Sequence, residues 1–169
     1  GILAQDYEMF EIHDPHFLVK HEYLPDSAGA GRWRGGLGVE TEFVMRGDNV
    51  TGVAFGDGVE EEARAFGFFG GKPGSRNSIT LTYPDGSMRR VKSKEIIRGI
   101  PPGTVFNQKA GGGGGYGDPF ERPAERVAAD VRNGTISVAA AREDYGVCID
   151  PDSYALDASR TAELRQAKR

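Results

Sequence analysis

The sequence predicts an α+β protein: a β-rich body of antiparallel strands and hairpins with glycine-rich loops, followed by two or three short C-terminal helices. Three observations carry this. Apolar and polar residues alternate over 39–45 and again over 79–82, the period of a half-buried strand. After residue 121 the period becomes helical, with Ala124, Val127, Ala128 and Val131 at i, i+3, i+4 and i+7. Strands before helices in the chain read as α+β. Glycine is the third signal: 25 residues, about twice the roughly 12 that an average usage of about 7% gives. The excess gathers in a few loops.

Taken in order, residues 1–16 carry few signals beyond a bend at Asp14-Pro15. Phe17 to Leu24 reads as a strand between two prolines. A glycine loop over 26–38 follows. Val39 to Met45 puts Val39, Thr41, Phe43 and Met45 on one face, with Glu40 and Glu42 on the other. Arg46-Gly47-Asp48-Asn49 reads as a turn and Val50 to Phe55 as a strand, so 39–55 is expected to be a hairpin. Gly56-Asp57-Gly58 breaks that strand. Ala63 to Phe69 is apolar and aromatic, and Gly70-Gly71-Lys72-Pro73-Gly74 breaks it in turn. Tyr83-Pro84-Asp85-Gly86 is a hairpin turn between strands 77–82 and 87–92. Lys94 to Ile100 is a short strand or turn, and Thr104 to Lys109 a strand. Pro123 suits a first helical turn, and Gly134 stops a helix over 122–133. Ser137 caps a helix over 138–145 that Gly146 ends. Val147 to Ile149 is a candidate short strand, and Asp157 caps a last helix over about 158–168. No internal repeat or boundary interrupts this order, so one domain over 1–169 is expected.

A net charge of −4 argues against a general nucleic-acid binder, which needs a basic surface. Cys148 is the single cysteine, so no intrachain disulfide and no cysteine-built zinc site can form. That fits a reducing, cytoplasmic setting. No apolar run approaches the roughly 20 residues of a membrane span, and no signal peptide is visible. Gly1 is not a natural start, and a piece of a longer chain is expected.

Two glycine motifs carry the functional signal. Asp26-Ser27-Ala28-Gly29-Ala30-Gly31-Arg32-Trp33-Arg34-Gly35-Gly36-Leu37-Gly38 holds five glycines in 13 residues. Its arginines supply forks for a carboxylate, a phosphate or a partner's acid; alternatively, Asp26 pairs with Arg32 or Arg34 and holds the loop. Trp33 reads as a packing anchor. Gly111 to Gly115 with Tyr116-Gly117-Asp118-Pro119 leads into a helix. Its successive amides, at Gly113, Gly114 and Gly115 above all, either form an anion nest or pack tightly where no side chain fits. It lacks the lysine of a phosphate-binding loop and the context of a dinucleotide fingerprint. His13, His16 and His21 are superficially metal-like, but a proline interrupts them, and no metal is assigned. Ser27 has no adjacent base and no nucleophile elbow. Cys148 reads as a core residue.

The two motifs together, with the stretch to Tyr145-Gly146-Val147, resemble the C-terminal part of the hydantoinase B/oxoprolinase family over roughly 17–150. Ala28 stands where that family usually has glycine. The resemblance implies a fragment of a B-type subunit of a large ATP-dependent enzyme, such as 5-oxoprolinase, N-methylhydantoinase, or acetone and acetophenone carboxylases. It implies a hydantoinase A-like partner subunit that binds ATP. ATP would phosphorylate an amide or enolate oxygen before hydrolysis or carboxylation. It also implies that a divalent metal belongs to the part of the larger chain outside this stretch. The expected role is then an active-site wall or subunit interface, not catalysis by this piece alone. The residues expected to meet substrate, anion or interface are Asp26, Ser27, Arg32, Arg34, Gly113, Gly114, Gly115 and Asp118. A purely structural assembly module is the rival expectation.

Overall fold

The computed structural model describes residues 6–167. Seven strands and four helices follow one another as α1 (Tyr7–His13), β1 (His16–Leu24), β2 (Gly38–Met45), β3 (Val50–Phe55), β4 (Ser78–Thr82), β5 (Met88–Arg90), β6 (Lys94–Ile100), β7 (Val105–Lys109), α2 (Ala124–Arg132), α3 (Val138–Tyr145) and α4 (Ala158–Ala167). The α+β expectation holds: one antiparallel sheet runs β1-β2-β7-β4-β5, and a second pairs β3 with β6.

The two sheets share an apolar layer. Met45, Leu81, Val91, Ile97 and Ile100 are buried there, with Phe43, Val50, Ala54, Ile79 and Phe106 packed around them. Period-two alternation decides which side chains enter. Phe43 of β2 lies opposite Phe106 of β7, and their rings stack at 4.6 Å. Glu40, Glu42 and Asn107 point the other way, and the Asn107 amide donates to both carboxylates across the strands. The β4–β5 hairpin forms as expected. Gly86 takes the φ of +83° that its turn requires, and Asp85 accepts hydrogen bonds from the Ser87 amide and hydroxyl.

The expected hairpin over 39–55 does not form. β2 pairs with β1 and β7, and β3 pairs with β6. The turn after Met45 is diverted instead: the Arg46 amide bonds the Pro15 carbonyl, and the Met45 carbonyl accepts from Gly103. The chain thus leaves one sheet and enters the other. Gly99, at φ +67°, absorbs the extra residue that shifts register between β3 and β6.

The quiet N-terminal stretch also holds a helix. Asp6 caps α1 by accepting from the amides of Glu8 and Met9 at 3.0 and 3.1 Å. Phe10 then meets the edge of Phe43 at 5.6 Å.

A second core belongs to the C-terminal helices. Val127, Ala128, Val131, Ala141, Tyr145, Val147 and Ile149 are buried together with Ala30. Ser137 caps α3 through the Ala140 amide at 3.0 Å, and Gly146 ends it at φ +61°. Asp157 caps α4 through the Arg160 amide at 2.9 Å; residue 168, placed at this helix's end from sequence, lies outside the described residues. The expected strand 147–149 reduces to one bridge, Ile149 to Leu156.

Candidate functional site

Three glycine-bearing segments, 27–38, 65–75 and 111–117, run together between the sheets and the helices. They make few regular β pairs, but main-chain hydrogen bonds join each to the others. Gly29 donates to Gly113 and Gly113 to Gly36, at 2.8 and 2.9 Å. Lys72 donates to Ala30 and Ser75 to Ser27, at 2.7 and 2.8 Å. Gly115 donates to Lys72 and Phe68 to Gly115, each at 2.9 Å.

The glycines stand where backbones touch. A Cβ on Gly114 would fall on the carbonyl of Phe66, one on Gly35 on the carbonyl of Gly113, and one on Gly115 on the carbonyl of Ala30. Collagen uses glycine for the same reason, since no side chain fits at its crowded axis. The amides of Gly111, Gly112, Gly113, Gly115, Tyr116 and Gly117 all donate within the protein. Tight packing, one of the two readings open from sequence, accounts for these amides. They are not turned outward as an anion nest.

The remaining sequence candidates fall around this bundle. Ser27 is buried; its hydroxyl donates to the Leu24 carbonyl at 2.5 Å and accepts from the Gly38 amide at 2.8 Å, closing the first loop on itself. Asp26, at φ +57°, accepts from the Ser137 amide at 2.7 Å. It therefore holds the start of α3 and pairs with neither arginine, contrary to the internal pairing weighed from sequence. Arg34 reaches Asp130 on α2 at 3.3 Å, where Arg122 also bonds the same carboxylate at 2.7 Å. Arg122 is buried, and its Nε has no hydrogen-bond partner. Arg32 is exposed and lies 3.6 Å from Glu121, an arrangement that contributes little in water. Asp118 caps the short 3-10 turn Pro119–Glu121 through the Phe120 amide.

Trp33 is not a packing anchor. It is more than half exposed and forms part of an aromatic face that the sequence reading missed. Phe66, Phe68, Phe69 and Tyr116 are also more than half exposed. Their rings run in series: Phe66–Phe68 at 4.9 Å, Phe68–Phe69 at 6.1 Å and Phe69–Tyr116 at 5.2 Å. Trp33 and Phe68 each bridge Tyr116 through the main chain, and the Arg126 guanidinium sits 5.5 Å from the Trp33 ring. Contiguous exposed aromatics with arginine at the margin mark protein-binding surfaces. The available signal was Phe66-Gly67-Phe68-Phe69-Gly70-Gly71, an aromatic run whose glycines match the other two glycine stretches.

Among the described residues no three His, Cys, Asp or Glu side chains gather as a metal site. His16 stacks on Phe43 at 5.1 Å, and His21 shares a hydrogen bond with Thr41. Among those residues no helix is long and apolar enough to cross a membrane. Among the groups with displaced acidities, one lies in the helical core and one on the five-stranded sheet. Burial pushes the Tyr145 hydroxyl up to about 12, with Arg122 opposing and Asp130 adding to the shift. Hydrogen bonds from Lys20, then Asn107, hold the Glu40 carboxyl below the usual carboxylate range.

Comparison with known proteins gives a consistent picture. The family model described as hydantoinase B/oxoprolinase matches residues 1–119. The beta chain of the caprolactamase of Pseudomonas jessenii is 33% identical over 99% of this chain and 29% of its own length. The B-type chain of a putative D-/L-hydantoinase from Pseudomonas sp. (strain NS671) is 31% identical over 94% of this chain and 26% of its own length. The acetone carboxylase alpha chain of Xanthobacter autotrophicus is 24% identical over 95% of this chain and 25% of its own length. In structure, the ATP-dependent caprolactamase from Pseudomonas jessenii superposes with a TM-score of 0.81 at 31% identity, over 97% of this chain and 28% of that one. A nucleotide-free acetone carboxylase superposes at 0.84 with 22% identity, over 98% of this chain and 26% of that one. The chain thus spans between a quarter and a third of the length of the proteins it matches.

Proposed function

The chain belongs to the hydantoinase B/oxoprolinase family, and from that premise we propose that it is the C-terminal domain of the B-type subunit of an ATP-dependent cyclic amide hydrolase. In this reading it docks a partner of the hydantoinase A-like, ATP-binding kind, and walls the active site without performing the chemistry itself. The aromatic face carries the proposal. Trp33, Phe66, Phe68, Phe69 and Tyr116 expose large apolar area on a base that backbone contacts hold rigid, and preorganised aromatic anchors favour tight association. Arg32, exposed and weakly paired, is placed to meet a partner's acid.

The amides of Gly111, Gly112, Gly113, Gly115 and Gly117 bond internally, and among the described residues no three His, Cys, Asp or Glu side chains gather. ATP and a metal belong, in this reading, to other parts of the complex. Hydrolysis leads over carboxylation because the amidohydrolase relatives are 31–33% identical and the carboxylase 24%.

The test is to change Trp33 and Phe69 together to serine in the whole B-type chain and co-express it with its partner. The expected result is a folded chain that no longer co-purifies, with ATP-dependent cyclic amide hydrolysis down roughly tenfold or more. Unchanged assembly and turnover would leave the domain a purely structural module.

A further inference from the structure

A cavity of 590 Å³ opens between α3, the segment 148–151 and the start of α4, and it shares no residue with the aromatic face. Its size lies within the roughly 300–1,000 Å³ of small-molecule sites. Val138 and Ile149 give it an apolar wall. Its charges are mixed and unequally committed. Asp150 is locked in place, accepting from the Ser153 hydroxyl and from the amides of Asp152 and Ser153. Asp157 caps α4 and lies 3.6 Å from Arg160. Arg142 also lines the cavity, yet its guanidinium makes no hydrogen bond or ion pair with any described residue.

This lining selects by charge. Asp157 and Arg160, which also lines the cavity, offset one another, so the charges left to a ligand are Asp150 and Arg142, and a simple anion on Arg142 leaves Asp150 unmatched. A purely apolar guest leaves the Arg142 fork unmatched, and a simple cation leaves it repelled. A ligand with one charge of each sign on an apolar chain satisfies all of these groups. We propose that the cavity binds a zwitterionic amino acid, its carboxylate on Arg142, its ammonium toward Asp150 and its methylenes on Val138 and Ile149. The site stands without the hydrolase reading. With that reading it takes the product class, because adding water across the C–N bond of a lactam leaves a carboxylate and an amine on one chain.

Cys148 lines the same cavity, so it reports occupancy. The experiment follows alkylation of Cys148 by iodoacetamide, read by mass on its own peptide, in the whole B-type chain, with 6-aminohexanoate, hexanoate or hexylamine at equal concentration. Saturating 6-aminohexanoate is expected to slow alkylation roughly tenfold, and each half-ligand much less. Arg142→Ala should abolish protection without lowering the melting temperature, since its guanidinium has no partner among the described residues to lose. Arg142→Lys, which keeps charge but not the fork, should protect partially. Equal protection by hexanoate, no protection at all, or full protection in Arg142→Ala would each overturn the proposal. Neither ATP nor a cyclic amide is present, so the outcome is independent of whether the complex hydrolyses one.

Discussion

The helical core and the glycine bundle meet at Ala30, but different atoms hold them together. In the helical core, Val127, Ala141, Val147 and Ile149 exclude water with side chains. In the bundle, carbonyls and amides of three segments pack directly against one another, and glycine keeps the space between them clear. Side-chain packing adapts in part to the loss of a methyl group, because neighbouring rotamers relax. Backbone packing has little such freedom, because the main-chain groups in contact are already tied by hydrogen bonds. The bundle should therefore tolerate less.

The sharpest way to break that comparison is to add one carbon to the bundle and remove two from the helices. Gly114→Ala drives its Cβ into the Phe66 carbonyl and should cost more than about 4 kcal/mol, the range of exceptional substitutions. Val127→Ala empties part of a fully buried site and should cost about 2–3 kcal/mol. Urea titration of both variants decides it, and a Gly114→Ala chain as stable as wild type would end the backbone-core argument.

Alkali should separate the regions next. The bundle is joined by main-chain groups that do not titrate, whereas the helical core contains Tyr145. Its folded value of about 12 lies above the ordinary value near 10. Its contribution is therefore intact below about pH 10 and is lost as pH rises through 12, an effect of about 2 kcal/mol. Thermal melts at pH 9 and pH 11 should show a drop in wild type that Tyr145→Phe reduces; an equal drop in both would assign the alkaline loss elsewhere.

The smallest effect is a control inside the bundle. Gly36 has nothing within 4 Å of an added Cβ, although its neighbour Gly35 has no room at all. Gly36→Ala should stay within about 0.5 kcal/mol of wild type, and Gly35→Ala should fail to fold. If both were tolerated, the two loops would not be in contact as described.

Much of this architecture was legible from local signals. The β4–β5 hairpin, α2, α3 and α4 each announce themselves through a turn, a cap or a 3.6-residue period within a few neighbouring residues. What escaped depended on distant partners. The turn at 46–49 looks like a hairpin loop, but Pro15 and Gly103 claim the main-chain groups that would have closed it. Trp33 reads as a packing anchor, yet its main chain pairs with Tyr116 and leaves the indole more than half exposed.

Residues close along the chain were enough to settle the α+β class, the caps of α3 and α4, the two glycine motifs and, through them, the family. Covalent geometry and local hydrogen bonding decide each of these within a few positions. Three other outcomes came from the folded chain. It recruited 65–75 as the third leg of the bundle, turned Asp26 to α3 and Arg34 to Asp130, and brought five aromatics to one exposed face. Those outcomes rest on contacts tens of residues apart, which no local pattern encodes. A glycine records that space is needed beside it, but only the fold shows which backbone fills that space.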